Sequence, residues 1–285
     1  VDALDRIQPP ADSRLTLDPT TARREHAALS AMQLILVVDI GNTSSSLACY
    51  AAGRVFRVQR IATSRSAPAA IKRLAREALA GRAARGAMVA SVVTRVDRIW
   101  RAALESVIDG PVAFVTHRLR LGVPLCYPKP ASIGADRLAN ACGGADRYGV
   151  PLIVADFGTA VTFDIITRRG YEGGVIAPGL PLVFEYLAEK TAKLPRIREG
   201  AARGPWGRST EQAMRLGARW GYPALVRGIL AELRRHPALR AARLVITGGH
   251  GRIVARAIEE SAVVDPTLTL YGVGRIYELN IGSRA

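Results

Sequence analysis

Residues 34–46 read LILVVDIGNTSSS: five apolar residues in a row, Asp39, Gly41, and then small amide and hydroxyl side chains. A continuous apolar run closed by turn formers is the pattern of a strand covered on both faces. Leu47 to Ala51 and Val55 to Val58 follow with a turn at Gly53, which predicts a three-stranded meander. Residues 152–162, LIVADFGTAVT, repeat the device: an apolar run, Asp156, Gly158 and Thr159, a strand over 161–166, a turn at Gly170 and a strand over 171–176. Two strand-to-hairpin units, each turning at Asp-x-Gly, predict an α/β chain that is duplicated in outline, although the halves share little identity.

Outward from these units the periodicity alternates. Ile71, Leu74, Ala75 and Leu79 have helical spacing within 67–81, and strands over 88–93 and 112–115 flank a helix over 96–107. The second half adds helices over 178–190, 210–235 and 252–261, a buried strand over 243–247, and a closing segment with Leu268, Leu270 and Tyr271. The expected division is a first domain over 32–148 and a second over 149–285. Residues 1–31 mix prolines and charges without apolar periodicity and read as a disordered or non-native extension ahead of Met32, with no apolar core of a secretory signal.

Composition narrows the function. The net charge is +16 over 285 residues, yet lysine occurs only at 72, 129, 190 and 193, and the arginines are spread along the chain. Nucleic-acid binding calls for charge gathered on one element or interleaved with stacking aromatics, and aromatics are only 6% here, so a small anionic substrate is the better match. No apolar stretch approaches the roughly 20 residues of a membrane span. Cys49, Cys126 and Cys142 are odd in number and lack metal-type spacing, which suits a reducing cytoplasm better than a disulfide framework or a zinc site.

The chemistry concentrates at the turns. The loop after Asp39 can aim backbone N–H groups and hydroxyls at phosphate oxygens while Asp39 holds a hydrated Mg²⁺, although an ordinary hairpin uses the same residue types. A second such turn at Asp156 makes a pair suited to gripping a nucleoside triphosphate from both sides of a cleft. Thr247-Gly248-Gly249 follows a third apolar strand, where the glycines admit a flat ligand or simply a tight strand-to-helix turn. Gly134-Ala135-Asp136-Arg137 opens a helix, so Asp136 is a candidate general base near a positive helix end; the alternative is a capping aspartate beside a surface arginine. Asp136 and Asn140 share a face, with Arg137 about a third of a turn round, an arrangement for a substrate bearing both a hydroxyl and an anionic group. His26, His117, His236 and His250 have no metal spacing, His250 being the best placed to touch a nucleotide. Trp100, Trp206 and Trp220 read as core or interface residues.

Taken in order, the motifs Asp39-x-Gly-Asn-Thr43, Gly134-Ala-Asp-Arg137, Asp156-Phe-Gly-Thr-Ala160, Gly173-Gly-Val-Ile-Ala-Pro-Gly179, Thr191-Ala-Lys-Leu-Pro195, Ser209-Thr-Glu-Gln-Ala-Met214 and Thr247-Gly-Gly249 resemble those of the type III pantothenate kinases. These belong to the superfamily of acetate and sugar kinases and actin. The resemblance runs from Met32 to about Asn280. It implies duplicated ribonuclease-H-like (actin-like ATPase) domains with a nucleotide cleft between them. The implied activity is ATP-dependent phosphorylation of pantothenate, the first step of coenzyme A biosynthesis, by a cytoplasmic homodimer with substrate sites near the subunit interface.

Carried over by motif, Asp39, Ile40, Gly41, Asn42, Thr43, Ser44, Ser45 and Ser46 would form the first phosphate loop, with Asp39 near Mg²⁺. Thr159, Gly248 and Gly249 would contact ATP, and Asp156 would coordinate a monovalent cation, K⁺ or NH₄⁺. Tyr127, Gly134, Ala135, Asp136, Arg137 and Thr210 would bind pantothenate, with Arg137 on its carboxylate and Asp136 as the base. The chain departs from the family pattern at Ser44 to Ser46 and at His250. The family's other name, Bvg accessory factor, implies a second reading, a regulatory or DNA-associated protein with little or no kinase activity. Asp136, Arg137 and Asp156, all retained, argue for catalysis, and Tyr127 with the Gly-Ala-Asp-Arg motif argues against a sugar site.

Overall fold

The computed structural model describes residues 34–282, so the extension expected over 1–31 lies outside the described residues. Within them, ten strands form two five-stranded sheets of one plan. In the first, β1 (Leu34–Ile40), β2 (Ser44–Ala51) and β3 (Arg54–Ala62) make an antiparallel meander, and β4 (Ala84–Ser91) and β5 (Val112–Phe114) add parallel to β1, giving the order β3-β2-β1-β4-β5. In the second, β6 (Leu152–Phe157), β7 (Ala160–Thr167) and β8 (Gly170–Pro178) make the meander, and β9 (Arg243–Thr247) and β10 (Val263–Val264) extend it beyond β6. The registers match as well: Asp39 lies opposite Ser46 and Ala90, Asp156 opposite Thr162 and Thr247. The duplication foreseen from the two Asp-x-Gly turns is therefore one of topology.

Seven α-helices complete the described residues: α1 (Pro68–Leu79), α2 (Asp97–Glu105), α3 (Ala135–Tyr148), α4 (Leu180–Lys190), α5 (Thr210–Arg235), α6 (Gly251–Ile258) and α7 (Leu268–Asn280). Helices α1 and α2 cover one face of the first sheet, burying Ile71, Trp100 and Leu104 against Leu36, Val38 and Leu47. Helices α5 and α6 do the same for the second, with Tyr222, Val226 and Val254 on Ile153, Phe157 and Phe163. Between the sheets lie α3 and α7, exchanged between the halves: α3, from the first half, packs on β6 and β7, while α7, at the end of the second, packs on β1, β2 and β4. Both central strands are thus covered on each face, which is why β1 and β6 read as unbroken apolar runs.

The crossing of α3 and α7 requires glycine. A Cβ on Gly272 would collide with the carbonyl oxygen of Ala139, and one on Gly143 would come within 3.0 Å of Gly272 Cα. The two backbones are in contact, with Leu138, Cys142, Tyr271 and Ile276 filling the flanks. No helix among the described residues is long and apolar enough to cross a membrane.

Several boundaries differ from the sequence expectation. Strand β3 runs to Ala62, past Val58, because it pairs with β2 as far as Ser44. Strand β4 starts at Ala84 and ends at Ser91, so 92–93 form a turn, and α2 covers a shorter span than 96–107. Pro178 ends β8, paired with Ala160, so α4 begins at Leu180. Helix α6 stops at Ile258, where Glu259 takes a left-handed conformation (φ 53°). The closing segment is a 13-residue helix, α7, buried along most of its length.

Candidate active site

The two Asp-x-Gly turns face each other across a cavity of about 220 Å³. Each is closed by its glycine N–H, Gly41 donating to Ser44 O and, in the one-residue-shorter second turn, Gly158 to Ala160 O, both at 3.1 Å. At the rim the hydroxyls of Thr43 and Thr159 are 2.8 Å apart, a direct bond between the halves. Asp39 and Asp156 stand at the ends of β1 and β6, Asp136 enters from the first turn of α3, and Gly248 and Gly249 follow β9. Gly248 (φ 87°) has no room for a side chain, since a Cβ would strike the Asp156 carboxylate and the Phe157 backbone.

Three acids on one floor perturb one another. Burial holds Asp39 well above the usual carboxylate range, and the neighbouring charges of Asp136 and Asp156 push it the same way against the pull of Arg60. Burial also raises Asp136, opposed by the N–H of Arg137, which donates to Asp136 Oδ1 at 2.8 Å. Asp156 is pushed up to about 6 by burial, although Asn140 Nδ2 donates to its Oδ2 at 2.9 Å. The orientation of that amide is set by Thr269, whose hydroxyl donates to Asn140 Oδ1 at 2.8 Å.

Such a floor favours cations. The donors are hard oxygens, but among the described residues no group of three His, Cys, Asp or Glu could hold a metal unaided. That fits a divalent ion that takes one carboxylate and completes its shell with water and phosphate oxygens.

Arg137 turns away from the acids toward β7 and β8. Its Nε donates to Asp164 Oδ1 at 2.6 Å, and its guanidinium carbon lies 5.8 Å from the Tyr171 ring centre. Tyr127 meets Tyr171 edge-on with ring centres 6.2 Å apart and lies against Gly173 (φ 117°), whose Cβ would come within 3.1 Å of the ring. The Tyr127 loop is clipped to β8 by Cys126 N–H to Tyr171 O and Tyr171 N–H to Pro124 O, both 2.9 Å. One helix end therefore serves two places, with Asp136 in the cleft and Arg137 beside Tyr127 next to it.

A family model for type III pantothenate kinase matches residues 35–232. A type III pantothenate kinase of Akkermansia muciniphila is 46% identical over 206 residues, covering 72% of this chain and 83% of that protein. The chain belongs to the type III pantothenate kinase family. A relative of the same name from Methylacidiphilum infernorum is 33% identical over 249 residues, 87% of this chain and 89% of the relative. Among solved structures, a conserved Baf family protein from Campylobacter jejuni superposes with TM-score 0.54 at 18% identity, covering 85% of this chain and 97% of that one. A ROK family glucokinase from Streptomyces griseus gives 0.51 at 16%, covering 85% and 98%. These two show the shared fold, the actin-like ATPase architecture implied by the motifs.

Within this family member, the cleft gathers Asp39, Gly41, Asn42, Thr43, Ser44, Ser46, Asp136, Asp156, Thr159, Gly248 and Gly249 from the set named on sequence. Ile40 and Ser45 are buried behind the turn, with Ser45 Oγ 2.9 Å from Thr63 Oγ1, so their side chains do not reach the cavity. Gly134 caps α3 and Ala135 is buried beneath it. Thr210 is exposed at the start of α5 and is not a lining residue of the cleft. The His250 side chain is occupied by Glu199, with Nε2 and Oε1 3.2 Å apart, a bond that raises the imidazole pKa. Trp100 is core, whereas Trp206 and Trp220 are exposed.

Sequence reasoning missed Arg60 and Thr269 in the cleft, and Asp164 beneath Arg137; Thr247, named there only as part of the Thr-Gly-Gly motif, also lines it. Asp164 alone left a signal, a charge inside the buried run VTFDII. A larger cavity of about 450 Å³ opens among α4, α5 and α6. Its walls are largely apolar (Leu180, Phe184, Tyr222, Val254), and the paired acid and glycine turns line the smaller one.

Proposed function

We propose that this protein transfers the γ-phosphoryl group of ATP to the terminal hydroxyl of pantothenate, opening coenzyme A biosynthesis, and that it works as a homodimer in a reducing cytoplasm. The observation that carries the reading is the placement of Asp136 and Arg137 on adjacent faces of one helix end. Asp136 meets the reacting hydroxyl in the cleft, and Arg137 meets the acceptor's carboxylate beside Tyr127. A carboxyl raised by burial keeps more affinity for a proton than an ordinary aspartate, which suits a general base.

The rest of catalysis is positioning and charge. The cleft-lining turns, through Asn42, Thr43, Ser44 and Ser46 on one side and Thr159 on the other, take the phosphate oxygens from both sides. The adenosine follows the open backbone at Gly249, next to the closely packed Gly248. Asp39 would hold Mg²⁺ and Asp156 would hold K⁺ or NH₄⁺, and the ions would supply neutralisation of phosphate charge on the two turns. Asn140 holds the Asp156 carboxylate in place for that cation. A cavity of about 220 Å³ accommodates the reacting groups rather than two whole substrates, so both substrates extend outward from it.

Two features support the dimer. Thr210 lies outside the cleft of its own chain, so a role on pantothenate makes it a residue of the partner's site. On α5, Gly217, Gly221 and Gly228 have open space above them beside exposed Trp220 and Leu225, a smooth face for a second copy.

The test is ADP release with pantothenate, ATP and Mg²⁺, in K⁺ or NH₄⁺ and again in Na⁺ alone. Turnover that requires pantothenate and the larger cation is expected, and Asp136→Ala abolishes it while the thermal melt stays cooperative. Substantial phosphorylation by a folded Asp136→Ala protein refutes the base assignment.

A further inference from the structure

Strand β7 carries a charge where a buried strand usually has none. Asp164 is fully buried, and a carboxylate tolerates that only when its charge is matched and its oxygens are occupied. Arg137 Nε at 2.6 Å and the Tyr171 hydroxyl at 3.0 Å both donate to its Oδ1. Arginine is the residue for such a contact, because it stays charged and presents several donors in one rigid plane.

A purely structural ion pair leaves one observation unexplained. Arg137 is gripped at Nε, yet its Nη2 is buried and has no hydrogen-bond partner among the described residues. A buried donor without an acceptor is costly, so its persistence points to a partner that arrives from outside the chain. Glycine at 174 lets the strand pass this close: a Cβ there would strike the Phe163 carbonyl oxygen and come within 2.8 Å of Nη2. Asp164 thus takes the Nε edge of the guanidinium, and Nη2, buried and unpartnered, is the donor left for an anionic group that enters beside the Tyr171 ring.

We infer that Asp164 is a positioning residue that sets the enzyme's preference for an acceptor ending in a carboxylate, by fixing the Arg137 guanidinium through Nε with Nη2 presented to the substrate. This rests on the pantothenate reading above. Asp164 touches no substrate atom, and its effect passes through the orientation of Arg137. The sign of the effect separates positioning from simple charge balance. If Asp164 only neutralised Arg137, removing its charge would strengthen the hold on a carboxylate; if it positions Arg137, removal weakens that hold.

The experiment compares pantothenate with pantothenyl alcohol, the same acceptor without its carboxylate, on full-length wild type and Asp164→Asn. The readout is kcat/KM for each, or Ki where the alcohol is bound but not turned over. The preference for acid over alcohol is expected to fall about 30-fold, chiefly through KM for pantothenate, as expected when a charge-assisted contact is misaligned. Tyr171→Phe, which removes one of the three side-chain donors to Asp164 (Arg137, Tyr171 and, at 3.4 Å, Thr162), gives a smaller shift in the same direction and carries the test if Asp164→Asn does not fold. An equal loss on both acceptors, or a lower KM for pantothenate in the variant, overturns the inference. Wild type that fails to phosphorylate pantothenate at all overturns the functional reading instead, so the two failures are distinguishable.

Discussion

Asp156→Asn gives a stability change whose sign depends on pH. Burial sets the folded pKa of Asp156 at about 6, against an ordinary value of 3.8. The shift of about two units corresponds to roughly 3 kcal/mol, at about 1.4 kcal/mol per unit. Because the folded value is the higher one, the native protein binds this proton more tightly than the unfolded chain does. The group's contribution to stability is therefore most favourable in acid and is lost as pH rises from the unfolded value through about 6.

Asparagine keeps the size of the side chain, and its oxygen can still accept from Asn140, but it never ionises. The variant should exceed wild type by roughly 3 kcal/mol at pH 8 and by only roughly 1 kcal/mol at pH 4.5. Urea unfolding followed by tryptophan fluorescence at the two pH values measures both. Added KCl should narrow the gap at pH 8 by stabilising wild type alone, since only the carboxylate gains from the ion. A difference that is the same at both pH values refutes the assignment of the ionisation cost to Asp156.

The crossing of the central helices offers a second perturbation. Gly272→Ala gains about 1 kcal/mol of helix propensity but drives a methyl into the Ala139 carbonyl, so a net loss of roughly 2–4 kcal/mol is expected, read from the urea midpoint. Gly221→Glu places a charge on the smooth face of α5, where nothing lies within 4 Å of the added Cβ, and should leave the protomer folded. Light scattering should then report a monomer with a raised KM for pantothenate, and a fully active monomer would show that Thr210 serves no partner site.

Much of the fold was legible because the two halves advertise the same unit. Apolar runs ending at Asp39 and Asp156 located β1 and β6, and the hairpins behind them followed from turn chemistry. Helix α7 was not legible, because it is buried between two sheets and carries Gly272 and Gly274 at close approaches, so it lacks the polar stripe that marks an amphipathic helix. The site divides in the same way. Residues at strand ends and turns stood out by type, whereas Arg60 reaches the cleft from the part of β3 beyond the expected strand end at Val58 and Thr269 from the unrecognised helix. Only the pairing of strands brings such residues to the acids, and single-sequence periodicity does not encode that pairing.

The exchanged helices also explain how one short motif can control chemistry on both halves. Successive residues of α3 turn by about 100°, so Asp136 and Asn140 fall on one face and Arg137 on the next. The first face delivers the proposed base and the amide that holds Asp156; the second delivers the arginine held by Asp164. A helix packed only on its own sheet could address one turn. Because α3 lies on the second sheet while Gly272 seats α7 against its backbone, the base of one half is fixed directly against the acid of the other. At the rim the halves meet through the Thr43 and Thr159 hydroxyls, a contact that yields far more readily than the packed backbones of α3 and α7 beneath the floor.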